Sequence, residues 1–329
     1  MVKVGMMSFA HMHAYSYANC LRQLPNVELA GIADDDAGRG KKLAKQLNTK
    51  YFPSYEKLLK EDIAAVVVCS ENVYHKQLTV MAAKAGKHVL CEKPISVSMK
   101  DAQAMIEACK KNGVKLMTAF PCRFAPPVER VKQLIDEGKI GKILAINGTN
   151  HGRMPGGWFI DKKKSGGGAV MDHTVHVADL MRWITNQEIV EVYAEIDTRF
   201  YKINIDDCGI LNLKLSNGIF ATLDASWSRP KVYPIWGDVT MHIIGTEGVI
   251  YLDTFAQKMA VYNNDDVKPN WVYWGSNMDL GMIKSFINAI EKNEPVPITG
   301  VDGMKAMEVA LGAYASAKKK QPVKLPLAK

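Results

Sequence analysis

The sequence predicts an α/β protein of two domains: a doubly wound parallel sheet first, then an α+β domain with a large, mostly antiparallel open sheet. Three observations support this fold class. The chain has 329 residues, more than one hydrophobic core usually serves. Strand-like and helix-like segments alternate up to residue 121, and strand-like segments follow one another in the second half. We therefore place the domains at residues 1–121 and 122–329, with the two closing helices able to pack back on the first.

The N-terminal half alternates between short apolar runs and amphipathic stretches. The runs "VKVGMMSF", "VELAGIA", "AAVVVCS" and "HVLCE" have the length of buried parallel strands, and helical spacing follows in stretches such as "AYSYANCLRQL" and "SMKDAQAMIEACKKNG". Parallel strands need such crossover helices, which then cover both faces of the sheet. This half is therefore predicted to be a Rossmann domain.

The pattern changes after the Pro126-Pro127 pair. A helix through "VERVKQLIDEG" leads to a strand at "KILAINGTNHG" and to an apolar helix from Asp172 to about Thr185. Strand-like segments follow as far as "GVIYLD" and "KMAVYN", with turns such as "SNG" between them. Two helices, near residues 279–291 and 302–318, finish the chain.

Composition and charge exclude several classes of protein. Hydrophobic residues make up 47% and charged residues 23%, which is typical of a globular chain. The net charge of +8 is spread over many helices, so no nucleic-acid partner is expected. The six cysteines form no C-x-x-C pair, and neither a leader nor a membrane-length apolar run is visible. We expect a cytoplasmic protein with reduced cysteines and no membrane contact.

The opening stretch "VGMMSFAHMH" has the place of a nucleotide-binding turn but lacks its glycines. In the usual G-x-G-x-x-G fingerprint, glycines allow a tight turn, backbone approach to the pyrophosphate and close helix packing. The three positions fall here on Ser8, Ala10 and His13. The two small residues can preserve the turn, whereas the bulky His13 requires the helix to sit differently. Taken alone, the stretch fits a variant fingerprint and an ordinary strand-turn-helix equally well.

Asp34 favours the nucleotide interpretation. It ends the second predicted strand, where a carboxylate can accept hydrogen bonds from both ribose hydroxyls of NAD and repel the 2′-phosphate of NADP. Asp35 and Asp36 add to that repulsion, although Asp36 is also suited to cap a helix that starts near Ala37. The expected coenzyme is therefore NAD rather than NADP.

The motif "AGKHVLCEKPIS" places a lysine, Lys93, directly after a strand and before Pro94. The carboxyl edge of a parallel sheet is where such folds bind ligands. Proline also biases the backbone of Lys93 away from the helical conformation. We interpret Lys93 as a functional residue and not as an ordinary surface lysine.

A second motif, "SGGGAVMDHTVHVADLMRWI", combines a glycine loop with a helix. Asp172, His176 and Asp179 fall at i, i+4 and i+7 on one helical face. A carboxylate one turn from an imidazole can set its tautomer and raise its basicity, which suits proton abstraction from an alcohol. His173 and His176 could also be metal ligands with Asp172, but no further well-spaced ligand set is visible, so no metal is expected.

Together these features resemble the Gfo/Idh/MocA family, the glucose-fructose oxidoreductase and inositol dehydrogenase group of NAD(P)-dependent enzymes. The likeness covers nearly the whole chain and includes "AGKHVLCEKP", "SGGGAVMDHTVHVADLMRW", "NVYH", Arg123-Phe124 and "DDCGILNLKLSNGIFATLDASW". Besides the altered glycines, two positions depart from it: Glu71 stands where the family commonly has proline, and Pro121 where asparagine is frequent.

The resemblance implies a dehydrogenase of CH–OH groups that moves a hydride between nicotinamide and a ring carbon of a sugar, inositol or related cyclic polyol. It implies Lys93, Asp172 and His176 as catalytic residues. The expected coenzyme-binding residues are Ser8, Phe9, Ala10, His11, Asp34, Ser70, Glu71, Asn72, His75, Glu92, Lys93 and Pro94. The expected substrate-binding residues are Arg123, His151, Trp158, Asp172 and His176.

Two other functions stay open at this point. Some members of the family use bound NAD in a redox-neutral cycle to hydrolyse glycosides, and a nonenzymatic nucleotide sensor could keep the same fold. The second is disfavoured because a sensor needs no proton relay of the kind formed by Lys93, Asp172 and His176. The apolar alternation in "IFATLDASW" leaves one face of the second sheet needing cover, so we expect a homodimer or homotetramer built through it.

Overall fold

The computed structural model describes residues 1–261, 270–273 and 275–327, with side chains described for 1–261 and 275–327. The chain forms two compact units, which are treated separately here. The first unit comprises Met1–Pro121, Lys163–Gly166 and Asp279–Met304. The second unit comprises Cys122–Lys162, Gly167–Met278 and Lys305–Lys329.

The first unit contains a six-stranded parallel sheet, as predicted. Its strands are β1 (Val2–Met7), β2 (Val27–Ala33), β3 (Tyr51–Phe52), β4 (Ala65–Val68), β5 (His88–Cys91) and β6 (Leu116–Thr118). Their order is β3-β2-β1-β4-β5-β6, so the chain reverses its direction of winding between β1 and β4. Doubly wound sheets bind ligands outside the carboxyl ends of the strands at this reversal.

Helices connect these strands where the sequence predicts them. They are α1 (His13–Gln23), α2 (Ala37–Gln46), α3 (Tyr55–Leu59), α4 (His75–Lys84) and α5 (Met99–Lys111). Side-chain caps fix three of the starts: Asp36, Ser54 and Ser98 each accept a backbone N–H three residues ahead. The predicted cap by Asp36 is thereby confirmed.

The second unit is built on a seven-stranded mixed sheet. Its strands are β7 (Ile143–His151), β8 (Ile189–Asp197), β9 (Cys208–Leu215), β10 (Phe220–Ser226), β11 (Thr240–Gly245), β12 (Val249–Asp253) and β15 (Val323–Lys324). They lie in the order β12-β11-β7-β10-β9-β8-β15. A separate ladder joins β13 (Lys258–Val261) to β14 (Asn270–Tyr273). The last two residues of the predicted strand "KMAVYN" lie outside the described residues.

The expected mostly antiparallel pairing is confirmed, with one exception. Strands β7 and β10 pair in parallel, from Phe220 beside Ala145 to Ser226 beside His151. A long connection separates these strands in the chain, and only such a connection allows a parallel pair. Strand β15 follows the helices that were expected to finish the chain, because Val323 and Lys324 pair with β8.

The remaining helices are α6 (Pro126–Asp136), α7 (Lys162–Ser165), α8 (Ala169–Thr185), α9 (Met278–Glu291) and α10 (Gly300–Lys319). Helix α8 packs on the sheet of the second unit at two glycines. A Cβ atom at Gly148 would meet Val177 at 2.7 Å, and one at Gly209 would meet Val170 at 2.4 Å. These glycines let the helix lie close to the sheet, and α8 is almost entirely buried.

Two further expectations can be compared with the structure. All six cysteines are free, and five of them are buried. In the part of the chain with described coordinates, no helix is both long and apolar enough to span a bilayer.

Candidate active site

The variant turn after β1 adopts the conformation for which the usual fingerprint uses glycine. Ser8 has φ 71°, in the left-handed region that L residues rarely occupy. Its Oγ accepts the backbone N–H of Ala10 at 3.2 Å, and its own N–H donates to the carbonyl of Ala33 at 2.8 Å. The serine hydroxyl therefore helps to hold a turn that glycine would form without strain.

Asp34, at the end of β2, ties this turn to the next helix. Its carboxylate accepts the backbone N–H of Phe9 at 2.8 Å and that of Asp36 at 2.9 Å. It also accepts two hydrogen bonds from the Arg39 guanidinium, at 2.9 and 2.6 Å. Arg39 additionally reaches Asp35 at 3.0 Å. The expected ribose-binding acid is thus also a structural carboxylate.

A cavity of about 280 Å³ opens beside this carboxylate, within the first unit. It lies between residues that follow β2 and residues that follow β4, where a doubly wound sheet takes its nucleotide. The lining residues are Asp35, Tyr55, Ser70, Glu71, Tyr74, Gln77 and Leu78. Together with the Ser8 turn and the Asp34 carboxylate, this concave surface fits an NAD coenzyme.

The segment after β4 is fixed by buried polar contacts. Asn72 donates from Nδ2 to the carbonyl of Ser165 at 2.8 Å, and Glu71 pairs with Lys164 at 3.1 Å. His75 lies with its two ring nitrogens 2.9 Å from the carbonyl of Pro94 and 3.2 Å from that of Ser70. Burial lowers the pKa of His75, and a neutral ring carries one N–H, which donates to one of these two carbonyl groups. Its coenzyme contact stays a prediction.

Glu92 is a fully buried carboxylate that connects the lysine segment to helix α1. One oxygen accepts the Tyr17 hydroxyl and the Nδ1–H of His13, both at 2.7 Å. The other accepts the backbone N–H of Lys93 at 2.5 Å. Burial opposes the charge, but the imidazoles of His11 and His13 hold the pKa of Glu92 well below its usual range. The backbone of Lys93 is thereby fixed, and its side chain is 2% exposed.

His11, His13 and Glu92 also form a group whose ligand atoms lie within 4.8 Å of one another. The sequence predicts no metal site, and the candidate ligands that it offers are Asp172, His173 and His176 on helix α8. The group of three comes from two segments 79 residues apart, so spacing in the sequence could not reveal it. Within the described residues His13 and Glu92 already hydrogen-bond to each other, and Nδ1 of His11 accepts the backbone N–H of His13.

Helix α8 carries the acid and imidazole of the second motif. Asp172 and His176 are 5% and 7% exposed. The Trp227 indole N–H donates to Asp172 at 3.3 Å, and Nε2 of His173 lies 3.2 Å from the same carboxylate. His173 also places Nδ1 2.8 Å from the carbonyl of Asn150. These contacts orient Asp172 from the side of the helix that bears His173.

The start of α8 lies three residues before the predicted one, at Ala169. The Asp206 carboxylate accepts the backbone N–H groups of Gly168 at 3.0 Å and Val170 at 2.9 Å. A Cβ atom at Gly168 would lie 1.9 Å from the carbonyl oxygen of Asp206, so only glycine fits there. The glycine loop therefore allows a close backbone approach within the protein.

The expected substrate residue Arg123 is paired with Asp179. Its guanidinium donates to both carboxylate oxygens, at 2.7 and 2.5 Å, and both side chains are buried. It also lies 5.4 Å from the centre of the Trp183 ring. Asp179, the third member of the predicted helical face, thus pairs with an arginine.

His151 and Trp158 are the other expected substrate residues. His151 lies between two carboxylates, with Nε2 3.1 Å from Asp224 and Nδ1 3.1 Å from Asp238. Burial opposes its charge, but these acids raise the pKa of His151 to about 9. Trp158 stacks on Phe159 with ring centres 3.9 Å apart. Substrate contact by either residue stays a prediction.

The structure thus brings several of the expected coenzyme residues together in the first unit and places Asp172, His173 and Trp227 together in the second. The contacts of Arg39, of Asp206 and of the His13–Glu92 pair were not predicted from the sequence. For Arg39 a signal was present, because a basic residue in the first turn of α2 is within reach of the preceding acids. No local pattern marks the other two contacts.

Comparison with known proteins supports the same assignment over both units. The family model described as "Oxidoreductase family, NAD-binding Rossmann fold" matches residues 2–120. The model described as "GFO/IDH/MocA C-terminal domain" matches residues 128–251. The uncharacterized oxidoreductase YrbE of Bacillus subtilis is 30% identical over 317 residues, which are 93% of this chain and 91% of that protein. Myo-inositol 2-dehydrogenase of Thermotoga maritima is 29% identical over 321 residues, 94% of each chain.

A solved structure supports the fold. The scyllo-inositol dehydrogenase of Lactobacillus casei, with bound NAD(H) and scyllo-inositol, superposes with a TM-score of 0.85 at 24% identity. The match covers 98% of this chain and 99% of that one. The Asp34 turn and the cavity beside it agree with the two matched domains. The chain belongs to the GFO/IDH/MocA family of NAD-binding oxidoreductases.

Proposed function

We propose that this protein is an NAD-dependent dehydrogenase that oxidises a CH–OH group on the ring of an inositol, a sugar or a related cyclic polyol. The observation that carries the proposal is the placement of Asp172 and His176 one turn apart on α8, both almost buried. An imidazole in this position can exchange a proton at neutral pH, which oxidation of an alcohol requires.

Three side chains of the protein have separate roles in the proposed reaction. His176 takes the hydroxyl proton as the carbonyl forms at the same carbon. Asp172 favours the imidazolium that results, because an opposite charge one turn away stabilises it. The Lys93 ammonium donates a hydrogen bond to the substrate oxygen and stabilises its developing negative charge. NAD, when bound, accepts the hydride.

The substrate class rests on the relatives. Two proteins that resemble this chain carry the names myo-inositol 2-dehydrogenase and scyllo-inositol dehydrogenase. The second unit offers groups suited to a polyol, because the Trp158 ring can stack on a sugar face. Both ring nitrogens of His151 lie on Asp224 and Asp238, so His151 would act by placing these carboxylates, which can accept hydroxyl groups. Arg123, held by Asp179, would act by shaping the site.

The test is a screen of purified protein against inositols and pyranoses with NAD, followed by the NADH absorbance band. Net NADH formation with at least one cyclic polyol is the expected result. Product formation without net NADH would instead support a redox-neutral cycle, and nucleotide binding without turnover of any compound would support a sensor. The variant Lys93→Met provides the inactive control.

The assembly and the cellular location of the protein are also proposals. The outer face of the second sheet exposes Ile210, Phe220, Val249 and Tyr251, with exposures of 47%, 65%, 48% and 74%. A sheet face with such side chains is suited to bury against another copy, so we propose a homodimer or homotetramer formed through it. A cytoplasmic location is proposed from the free cysteines.

A further inference from the structure

We propose that His13 is a coenzyme-binding residue: as an imidazolium it contacts the pyrophosphate of NAD and supplies a side-chain donor at the position where the usual fingerprint has its third glycine. The inference concerns the coenzyme site alone. It rests on that part of the proposed function and does not depend on which polyol is oxidised.

Many backbone N–H groups of the turn are already bonded inside the protein. In the usual fingerprint, backbone N–H groups at the start of the helix hold the pyrophosphate. Here many of these donors already have acceptors inside the protein. They are the N–H groups of Phe9 on Asp34 at 2.8 Å, Ala10 on Ser8 at 3.2 Å, His11 on Cys69 at 2.9 Å, His13 on the His11 ring at 3.2 Å and Ala14 on the His11 carbonyl at 3.1 Å. A side-chain donor can therefore supply the anion contact that these backbone groups do not.

His13 has the geometry for this role. It is the first residue of α1, the position at which such folds place the phosphate. Its Nδ1 lies 2.7 Å from Glu92, so this nitrogen is used inside the protein. The ring packs among protein atoms yet leaves 34% of the side-chain surface exposed. Nε2 is the nitrogen that remains to donate a hydrogen bond to a ligand.

The surroundings of His13 keep the ring charged. Burial works against the charge and Lys93 repels it, but the charge and hydrogen bond of Glu92, aided by Asp279, raise the pKa of His13. Two more groups pack nearby: the His11 ring, centred 4.4 Å away, and the Tyr17 hydroxyl, 3.4 Å from Nδ1. A charged imidazole forms a stronger bond to phosphate than a neutral one.

His11 does not duplicate this role. Its Nδ1 accepts the backbone N–H of His13, and its side chain is 2% exposed. The ring thus fixes the start of α1 from inside the protein. His13 is the histidine of the turn that can meet a ligand at the surface.

The inference predicts a coenzyme affinity that depends on pH. The charge on His13 is present below its pKa and lost above it, so NADH binds tightest at low pH. Loss of a charge-assisted bond that is partly screened by solvent should raise the Kd of NADH roughly fivefold to tenfold between low and high pH. Higher salt should reduce the difference.

The experiment is a titration of NADH fluorescence on the parent protein between pH 6 and pH 9, repeated on His13→Gln and on His13→Gly. We expect both variants to bind with the Kd that the parent shows at high pH and with no pH dependence. The control is His242→Gln, at an exposed histidine of β11 in the second unit, which should keep the parental slope.

A second readout follows the ring itself. The pKa of the His13 imidazole, followed by NMR, should rise when NADH is added. Because the two equilibria are linked, this rise should equal the base-10 logarithm of the fold-change in Kd. A parental Kd that is constant over this range, or a slope that survives in both His13 variants, overturns the inference. Absence of NADH binding by the parent at any pH overturns the coenzyme site as well.

Discussion

Replacement of Asp34 by asparagine should reverse the coenzyme preference, and the contacts of this residue allow the effect to be worked out. The carboxylate accepts four hydrogen bonds, from the backbone at Phe9 and Asp36 and twice from Arg39. The amide introduced by Asp34→Asn has one oxygen in place of two, so it can keep about half of these bonds. The side chain keeps its shape but loses its charge.

Three consequences follow from these contacts. Loss of buried, charge-assisted bonds should lower the free energy of unfolding by about 2 to 4 kcal/mol. Loss of the ribose contact should weaken NAD by roughly tenfold, since one such bond corresponds to about 1.5 kcal/mol. NADP should gain roughly tenfold because the repulsion of its 2′-phosphate falls and Arg39 is released from its bidentate pair. The ratio of the two affinities should therefore change by about two orders of magnitude.

The assay is a pair of fluorescence titrations, with NADH and with NADPH, accompanied by urea unfolding. Asp36→Asn is the matched control: it removes a neighbouring charge from the cap of α2, where asparagine serves as well as aspartate. It should leave the stability nearly unchanged and shift the affinity ratio much less than Asp34→Asn does, because it removes only a minor part of the repulsion of the 2′-phosphate. If Asp34→Asn keeps the parental ratio, or if Asp36→Asn shifts it equally, the ribose assignment is wrong.

The other predictions concern the turn, the base and the assembly. Ser8→Gly should raise the free energy of unfolding by up to about 1 kcal/mol, because Ser8 has φ 71° and glycine adopts that conformation without strain. Thermal unfolding measures this change, and a loss of stability would show that the serine hydrogen bond outweighs the strain. His176→Ala should lower kcat for polyol oxidation by roughly 10²-fold with little change in NAD affinity, whereas His242→Ala should keep the parental kcat. Steady-state kinetics across pH test this, and a near-parental kcat of His176→Ala would show that another residue is the base. Light scattering should find a dimer or tetramer at micromolar concentration, and a 36.4 kDa particle alone would contradict the proposed sheet interface.

Much of the first unit could be predicted because its signals are local. Buried apolar runs of strand length, helical spacing and caps such as Asp36 each occupy a few consecutive residues. The acid at the end of β2 was recognisable for the same reason. The short strand β15 was not, because Val323 and Lys324 form a strand only through their pairing with β8.

The parts of the site that could not be predicted depend on distant contacts. Asp206 sets the start of α8 from 36 residues beyond Val170, and no pattern near the helix shows this. His13 and Glu92 meet across 79 residues. Arg123 stays a predicted substrate residue, and its pairing with Asp179 depends on how the helix is rotated on the sheet. Contacts of this kind are determined by packing.

In the proposed reaction a hydride would pass directly from the substrate carbon to NAD. The most direct test uses the most active polyol from the screen, with deuterium at the carbon that bears the reacting hydroxyl, and mass spectrometry of the recovered coenzyme. Direct hydride transfer predicts one deuterium in the NADH formed, together with a slower turnover of the labelled substrate. Deuterium found in the solvent or retained in the product, with unlabelled coenzyme, would contradict it.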